Sequence, residues 1–161
     1  MKMQIYTLDK SDIIPLARHI PKEVLDNTQK DGFYTLGAVC YPDGKACLSG
    51  MIQFYVDQAA DGDCYGELTY VYVDEGYRRQ SVGIRLTGKA DTLLASEDVR
   101  IFTAKIHEKS GHISSDDLPA YEISAYLKAC GFIATRRDVA RGMDEETRDT
   151  GELRFFRFTG R

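Results

Sequence analysis

The sequence predicts an α/β fold, one mixed sheet with helices on both faces, in the order β-α-β-β-β-α-β-α-β-β. Three observations carry that expectation. Residues 32–41 and 45–56 are rich in β-branched and aromatic side chains and flank Pro42-Asp43-Gly44, a strong hairpin signal. Residues 64–73 form a third such run after a polar break, extending the hairpin to a meander. The apolar pattern then takes a helical period, returns to a strand and becomes helical again, which is the signature of β-α-β crossovers.

The elements follow in order. Residues 3–8 alternate like a short strand. Ser11 reads as the N-cap of a helical segment that has Pro15 in its first turn and runs toward Gln29. After the meander, Val82, Leu86, Ala90, Leu93 and Leu94 mark a helix over residues 82–95, and residues 99–106 read as a strand. Ile123, Tyr126, Leu127 and Cys130 fall at i, i+3, i+4 and i+7 of a helix over residues 118–130, which Gly131 ends. Residues 132–140 and 152–158 read as closing strands joined by a charged connection, and they offer an edge for a possible homodimer. The polar stretch 107–117 is long for a connection, so His112 and Asp116 are candidates for touching substrate.

Composition narrows the class. A length of 161 residues suits a single domain spanning 1–161, and 43% hydrophobic with 29% charged residues is ordinary for a folded protein. No apolar run approaches the roughly 20 residues that span a bilayer, and residues 1–6 carry no signal-peptide core. The expected setting is cytoplasmic, without a membrane partner. A net charge of −4 argues against nucleic acid as a partner and leaves room for a cationic substrate such as an amine. The four cysteines form no C-x-x-C pair and keep no zinc-like spacing with the three histidines, so no metal is expected. If Asp43-Gly44 is a two-residue turn, Cys40 and Cys47 fall opposite each other; free, half-buried thiols are expected.

The chemistry concentrates between Glu67 and Leu86. Physically this segment is a strand, a compact loop with small and basic residues, and a helix. A helix N-terminus leaves backbone N–H groups without partners at the positive end of the dipole. Small residues there let a pyrophosphate approach the backbone, and Arg78 and Arg79 add charge. A loop of this kind also suits another nucleotide-binding protein, although no G-x-x-x-x-G-K-[ST] pattern is present.

At Val73, Tyr77, Arg78 and Gly83 the segment resembles the signature of the GCN5-related N-acetyltransferase (GNAT) family, with Ser81 replacing the first glycine. The order of elements and the later Gly131-Phe132 strengthen the resemblance. It implies an N-acetyltransferase fold using acetyl-CoA as co-substrate and a primary amine of unidentified class as acceptor. It also implies that the backbone of Val71, Tyr72 and Val73 holds the pantetheine arm where the strand splays from its neighbour. The loop Arg78, Arg79, Gln80, Ser81, Val82, Gly83 and Ile84 would hold the pyrophosphate. An alkylamine, with a pKa near ~10.4, needs a base. Glu67, at the start of the signature strand, is the candidate. The family's usual thiolate-protonating tyrosine falls on Leu127 and its asparagine on Ala120, which leaves Tyr126, or Tyr121 from the first turn, as the candidate acid. These departures keep a non-catalytic acyl-CoA-binding module as the rival reading.

Overall fold

The computed structural model describes residues 2–17, 19–58, 62–107, 120–134 and 152–160. Seven strands are present among these described residues: β1 Met3–Thr7, β2 Phe33–Cys40, β3 Cys47–Gln58, β4 Cys64–Val73, β5 Ile101–His107, β6 Ile133–Ala134 and β7 Glu152–Phe158. They form one sheet in the order β1-β2-β3-β4-β5-β7-β6. β1 to β4 pair antiparallel, β4 and β5 pair parallel, and β7 lies antiparallel between β5 and β6. The helices are α1 Lys10–Ile13, α2 Lys22–Asn27, α3 Val82–Ser96 and α4 Ala120–Ala129.

The first helical segment differs from expectation. It is two short helices, and the cap of α1 is Asp9 rather than Ser11. The Asp9 carboxylate accepts from the Asp12 amide at 3.1 Å, and the Asp12 carboxylate accepts from the Asp9 amide at 3.0 Å. Two donors are thus satisfied reciprocally. Pro15 has no N–H with which to continue α1, so the helix stops at Ile13. The β2–β3 hairpin also turns differently. A 3-10 turn, Pro42–Gly44, replaces the two-residue turn, with Asp43 at φ 53° and Gly44 at φ 77°. Cys40 still lies opposite Cys47. All four cysteines are free thiols, with Cys40 and Cys130 buried, Cys47 half-buried and Cys64 exposed.

Helices cover both faces of the sheet, as the sequence predicts. On one face α3 and α4 pack Val82, Leu86, Leu94 and Leu127 against Leu36, Phe54, Leu68, Phe102 and Phe155. On the other, α1 and α2 pack Ile13 and Val24 against Val39, Met51, Tyr70 and Tyr72. Burying each such large side chain contributes about 1.5–3 kcal/mol. A register shift in β4 sets which side chain faces which layer. Gln53 pairs with Tyr70 and Phe54 with Leu68, so Thr69 is the extra residue. Leu68 and Val71 therefore both face α3, three positions apart, and Tyr70 and Tyr72 turn to the opposite layer.

β7 coincides with the second expected closing strand. Of the first, residues 133–134 form β6, and residues 135–140 lie outside the described residues. The same holds for residues 108–119, including His112 and Asp116, and for the charged connection 141–151.

Candidate active site

The sheet opens at its middle. β4 and β5 pair only through Gly66, Leu68 and the residue between them, against Phe102–Ala104. Beyond that point β5 follows β7 as far as the pair His107–Glu152, while β4 follows β3 to the pair Gly50–Val73. The two strands form a fork whose vertex lies at Leu68 and Ala104. Val71, Tyr72 and Val73 all lie past it. Val71 faces the α3 layer, and the Tyr72 ring meets His19 with centroids 4.6 Å apart. The Val73 carbonyl accepts from Arg78 Nε at 3.3 Å.

At the wide end of the fork the chain makes a compact loop into α3. Asp74 caps a 3-10 turn, Glu75–Tyr77, by accepting from the Gly76 amide at 3.0 Å. Arg79 and Ser81 both adopt the left-handed conformation, at φ 64° and 61°, separated by Gln80. Alternation of backbone hand points successive amides into one concavity, an anion-binding nest. The first helical bond of α3 runs from the Arg85 amide to the Ser81 carbonyl at 2.9 Å. The amides of Val82, Gly83 and Ile84 precede it and have no intrahelical acceptor. Ser81 contributes no side-chain cap. Arg78, Arg79, Gln80, Ser81 and Ile84 are exposed around these amides, and Arg85 and Lys89 extend the basic surface along α3.

α3 is seated by two glycines. A Cβ on Gly50 of β3 would lie 2.7 Å from Val82 Cγ1, so that glycine lets the first turn of α3 approach the sheet. A Cβ on Gly83 would run into Tyr126 Cε2 of α4. A side chain on residue 83 would therefore have to displace the Tyr126 ring.

Glu67 stands one residue before the fork vertex, opposite Thr103. Its side chain is 26% exposed, and its carboxylate lies 3.5 Å from Lys105 Nζ. Tyr126 is half-buried, but its hydroxyl is enclosed, 2.8 Å from Thr87 Oγ1 and donating to the Gly83 carbonyl at 3.2 Å. Burial and the neighbouring Cys130 thiol push the Tyr126 phenol well above the usual tyrosine range. Tyr121 is 73% exposed, and Leu127 is fully buried in the core.

The model of the Acetyltransferase (GNAT) family matches residues 3–132. This chain belongs to that family. It is an acyl-CoA-dependent N-acetyltransferase with acetyl-CoA as its co-substrate. Solved structures share the fold at low identity. The Arabidopsis thaliana protein NAA60, in complex with acetyl-CoA, is 14% identical with a TM-score of 0.66, covering 98% of each chain. A GNAT-family acetyltransferase from Staphylococcus aureus Mu50 is 13% identical with a TM-score of 0.63, covering 98% of this chain and 99% of its own. The aminoglycoside 6'-N-acetyltransferase AAC(6')-Ih from Acinetobacter baumannii is 17% identical with a TM-score of 0.57, covering 82% and 91%. No curated protein matches the chain in sequence.

The donor set of the acetyltransferase suits its co-substrate. Acetyl-CoA carries a diphosphate, and the nest, the three α3 amides and the flanking arginines offer it hydrogen bonds and positive charge. Three polar residues of the surrounding elements escaped sequence reasoning. Lys105 is the one cation in β5, a signal for a cross-strand partner. Thr87 and Asp91 interrupt the apolar stripe of α3, yet both are buried. Asp91 meets Arg157 of β7 at 3.2 Å and accepts from the Gly160 amide at 3.0 Å. Arg157 also donates to the Cys130 carbonyl at the end of α4.

Proposed function

We propose that the protein transfers the acetyl group of acetyl-CoA to a primary amine, with the diphosphate on the loop from Arg78 to Ile84 and the pantetheine arm along Val71, Tyr72 and Val73. The observation that supports this reading best is the fork between β4 and β5 with the nest at its wide end. An extended arm entering the fork meets the β4 backbone where its ladder with β5 has stopped. The thioester then arrives near the vertex, beside Glu67. There Glu67 removes a proton from the incoming ammonium, and the freed amine attacks the thioester carbonyl. A C–N bond forms, the attacking nitrogen gives up its second proton to solvent, the C–S bond breaks, and coenzyme A leaves as a thiolate that takes up a proton.

Glu67 is the base in this reading because its carboxylate lies beside the vertex and keeps a cation, Lys105, as its present partner. An acceptor ammonium would take a similar position. The acceptor class stays open among small amines, polyamines, aminoglycosides, peptide N-termini and protein lysines. We take residues 1–161 as one domain, supported by β7, which lies beyond the family match yet joins the same sheet. A cytoplasmic setting is part of the proposal; no helix among the described residues is long and apolar enough to cross a membrane. So is a homodimer through the β6 edge, where Ile133 is 59% exposed.

Thermal unfolding with acetyl-CoA tests the loop. At ~100 Kd the ligand should add roughly 2.7 kcal/mol of stability. Ser81→Asp tolerates the left-handed backbone and puts a carboxylate into the nest. It should abolish the ligand-induced rise. An equal rise in parent and variant would overturn the assignment of the diphosphate to this loop.

A further inference from the structure

A cluster of polar groups lies beneath the first two turns of α3. Gly83 and Thr87 are four residues apart and so share a face of that helix. Tyr126 of α4 reaches both, with its hydroxyl 2.8 Å from Thr87 Oγ1 and 3.2 Å from the Gly83 carbonyl. Its ring lies where any side chain on residue 83 would go. Thr87 is fully buried, and Cys130, one turn further along α4, borders the same cluster. The other side of this helical segment makes apolar contact with the sheet, through Val82 and Leu86 on Gly50. Apolar contacts permit small rotations of a helix about its axis, whereas a directed hydrogen bond resists them.

We propose that Tyr126 is a positioning residue for acetyl-CoA, whose hydroxyl holds the first turn of α3 at the rotation that aims the amides of Val82, Gly83 and Ile84 at the diphosphate. This rests on the reading of the loop as the diphosphate site. The alternative role, protonation of the leaving thiolate, fits the geometry less well. The hydroxyl is already engaged by α3. Its proton is also held more tightly than an ordinary thiol, with a pKa near ~8.5, would hold it, so transfer to a thiolate runs uphill. The thiolate takes its proton from solvent.

The two roles separate by which constant moves. Tyr126→Phe keeps the ring and removes the hydroxyl. Thr87→Val removes its partner at similar shape. Affinity for acetyl-CoA and for desulfo-coenzyme A, which lacks the reacting sulfur, would be measured by calorimetry. Turnover would be followed from pH 6 to 9 with the best acceptor from an amine panel. Both substitutions should weaken both ligands in parallel by about 3–10-fold, on the scale of one net hydrogen bond. kcat should stay within about two-fold with an unchanged pH profile. The double variant should weaken binding no more than Tyr126→Phe alone, since that change already removes both contacts. A fall in kcat of about 100-fold with affinity intact would overturn the proposal and assign proton transfer to Tyr126. Unchanged affinity and unchanged kcat, with only a lower Tm, would also overturn it. If the parent itself shows no acetyl-CoA binding, the loop assignment fails, which is a separate result.

Discussion

Ser81 shows how one substitution records a backbone demand. The family signature has glycine here, and the observed φ of 61° explains why: a Cβ in the left-handed region is crowded by the following carbonyl. Ser81→Gly should therefore raise stability by about 1 kcal/mol, less the added freedom of glycine in the unfolded chain. A rise in the urea midpoint at constant m-value would show it, and a fall would mean that the serine hydroxyl compensates. Glu67 poses a chemical question at the same scale. Glu67→Gln keeps the shape and removes the proton acceptor, so kcat should fall by roughly 10²–10⁴-fold with acetyl-CoA affinity intact. Loss of the Lys105 pair should matter little to folding, since both side chains are partly exposed. Turnover equal to the parent would reduce Glu67 to a partner of Lys105. Both residues were legible in the sequence as candidates. The distance to Lys105 was not, because Lys105 lies 38 positions away on a strand whose register only the fold sets.

Three elements are tied together by a buried ion pair that carries no part of the proposed chemistry. Arg157 of β7 meets Asp91 of α3 and the Cys130 carbonyl of α4, with side-chain exposures of 15% for Arg157 and 8% for Asp91. Charges so enclosed are costly to leave alone. Asp91→Ala strands the guanidinium and should cost about 3–5 kcal/mol, measured by urea unfolding. Replacing both, as Asp91→Leu with Arg157→Met, should recover much of that loss, because desolvation offsets most of the attraction. A double variant as unstable as the single one would show that the pair contributes net stability. Among the helices, α3 was read correctly from its apolar period. The opening segment was not, because Ser11 and Asp9 are both good capping residues and only the observed bonds choose between them.

For the whole molecule the buried acids set an alkaline limit. Burial first, then the neighbouring Cys130, raises the Tyr126 phenol; burial raises the Cys130 thiol. Tyr34 and Tyr65 are raised as well, the first by donating to Glu97 and the second by desolvation and then Asp57. In the unfolded chain such groups lose their protons near ~8.5 for cysteine and ~10 for tyrosine. Above those values the folded state holds more protons than the unfolded state, so stability falls as pH rises. Their contribution should be complete below about pH 8 and decline above pH 9, at up to about 1.4 kcal/mol per pH unit for each differing proton of the enclosed Tyr126 and Cys130, with solvent screening leaving little from Tyr34 and Tyr65. Urea midpoints by circular dichroism should follow that course, and Tyr126→Phe should flatten it. A midpoint constant to pH 10.5 would contradict it.

The sequence by itself determined what is local. Periods of two and 3.6, turn residues and the strand-loop-helix segment from Glu67 to Leu86 are set by neighbours a few positions apart, and they were enough for the sheet, its two helical layers and the family. The tertiary structure decided what each side chain meets. The phase of α4 put Tyr126 on the apolar stripe, but only the placing of α4 beside α3 on one face of the sheet turned that stripe position into a contact with Gly83 and Thr87. Gly83 reads in the sequence as a phosphate-loop glycine, and the Tyr126 ring packed against it adds a second demand for a small residue. Asp91 was unreadable for the same reason, since Arg157 lies 66 residues away and only the insertion of β7 between β5 and β6 brings it near. Spacing along the chain fixes which way a residue points; long-range packing fixes what it finds there.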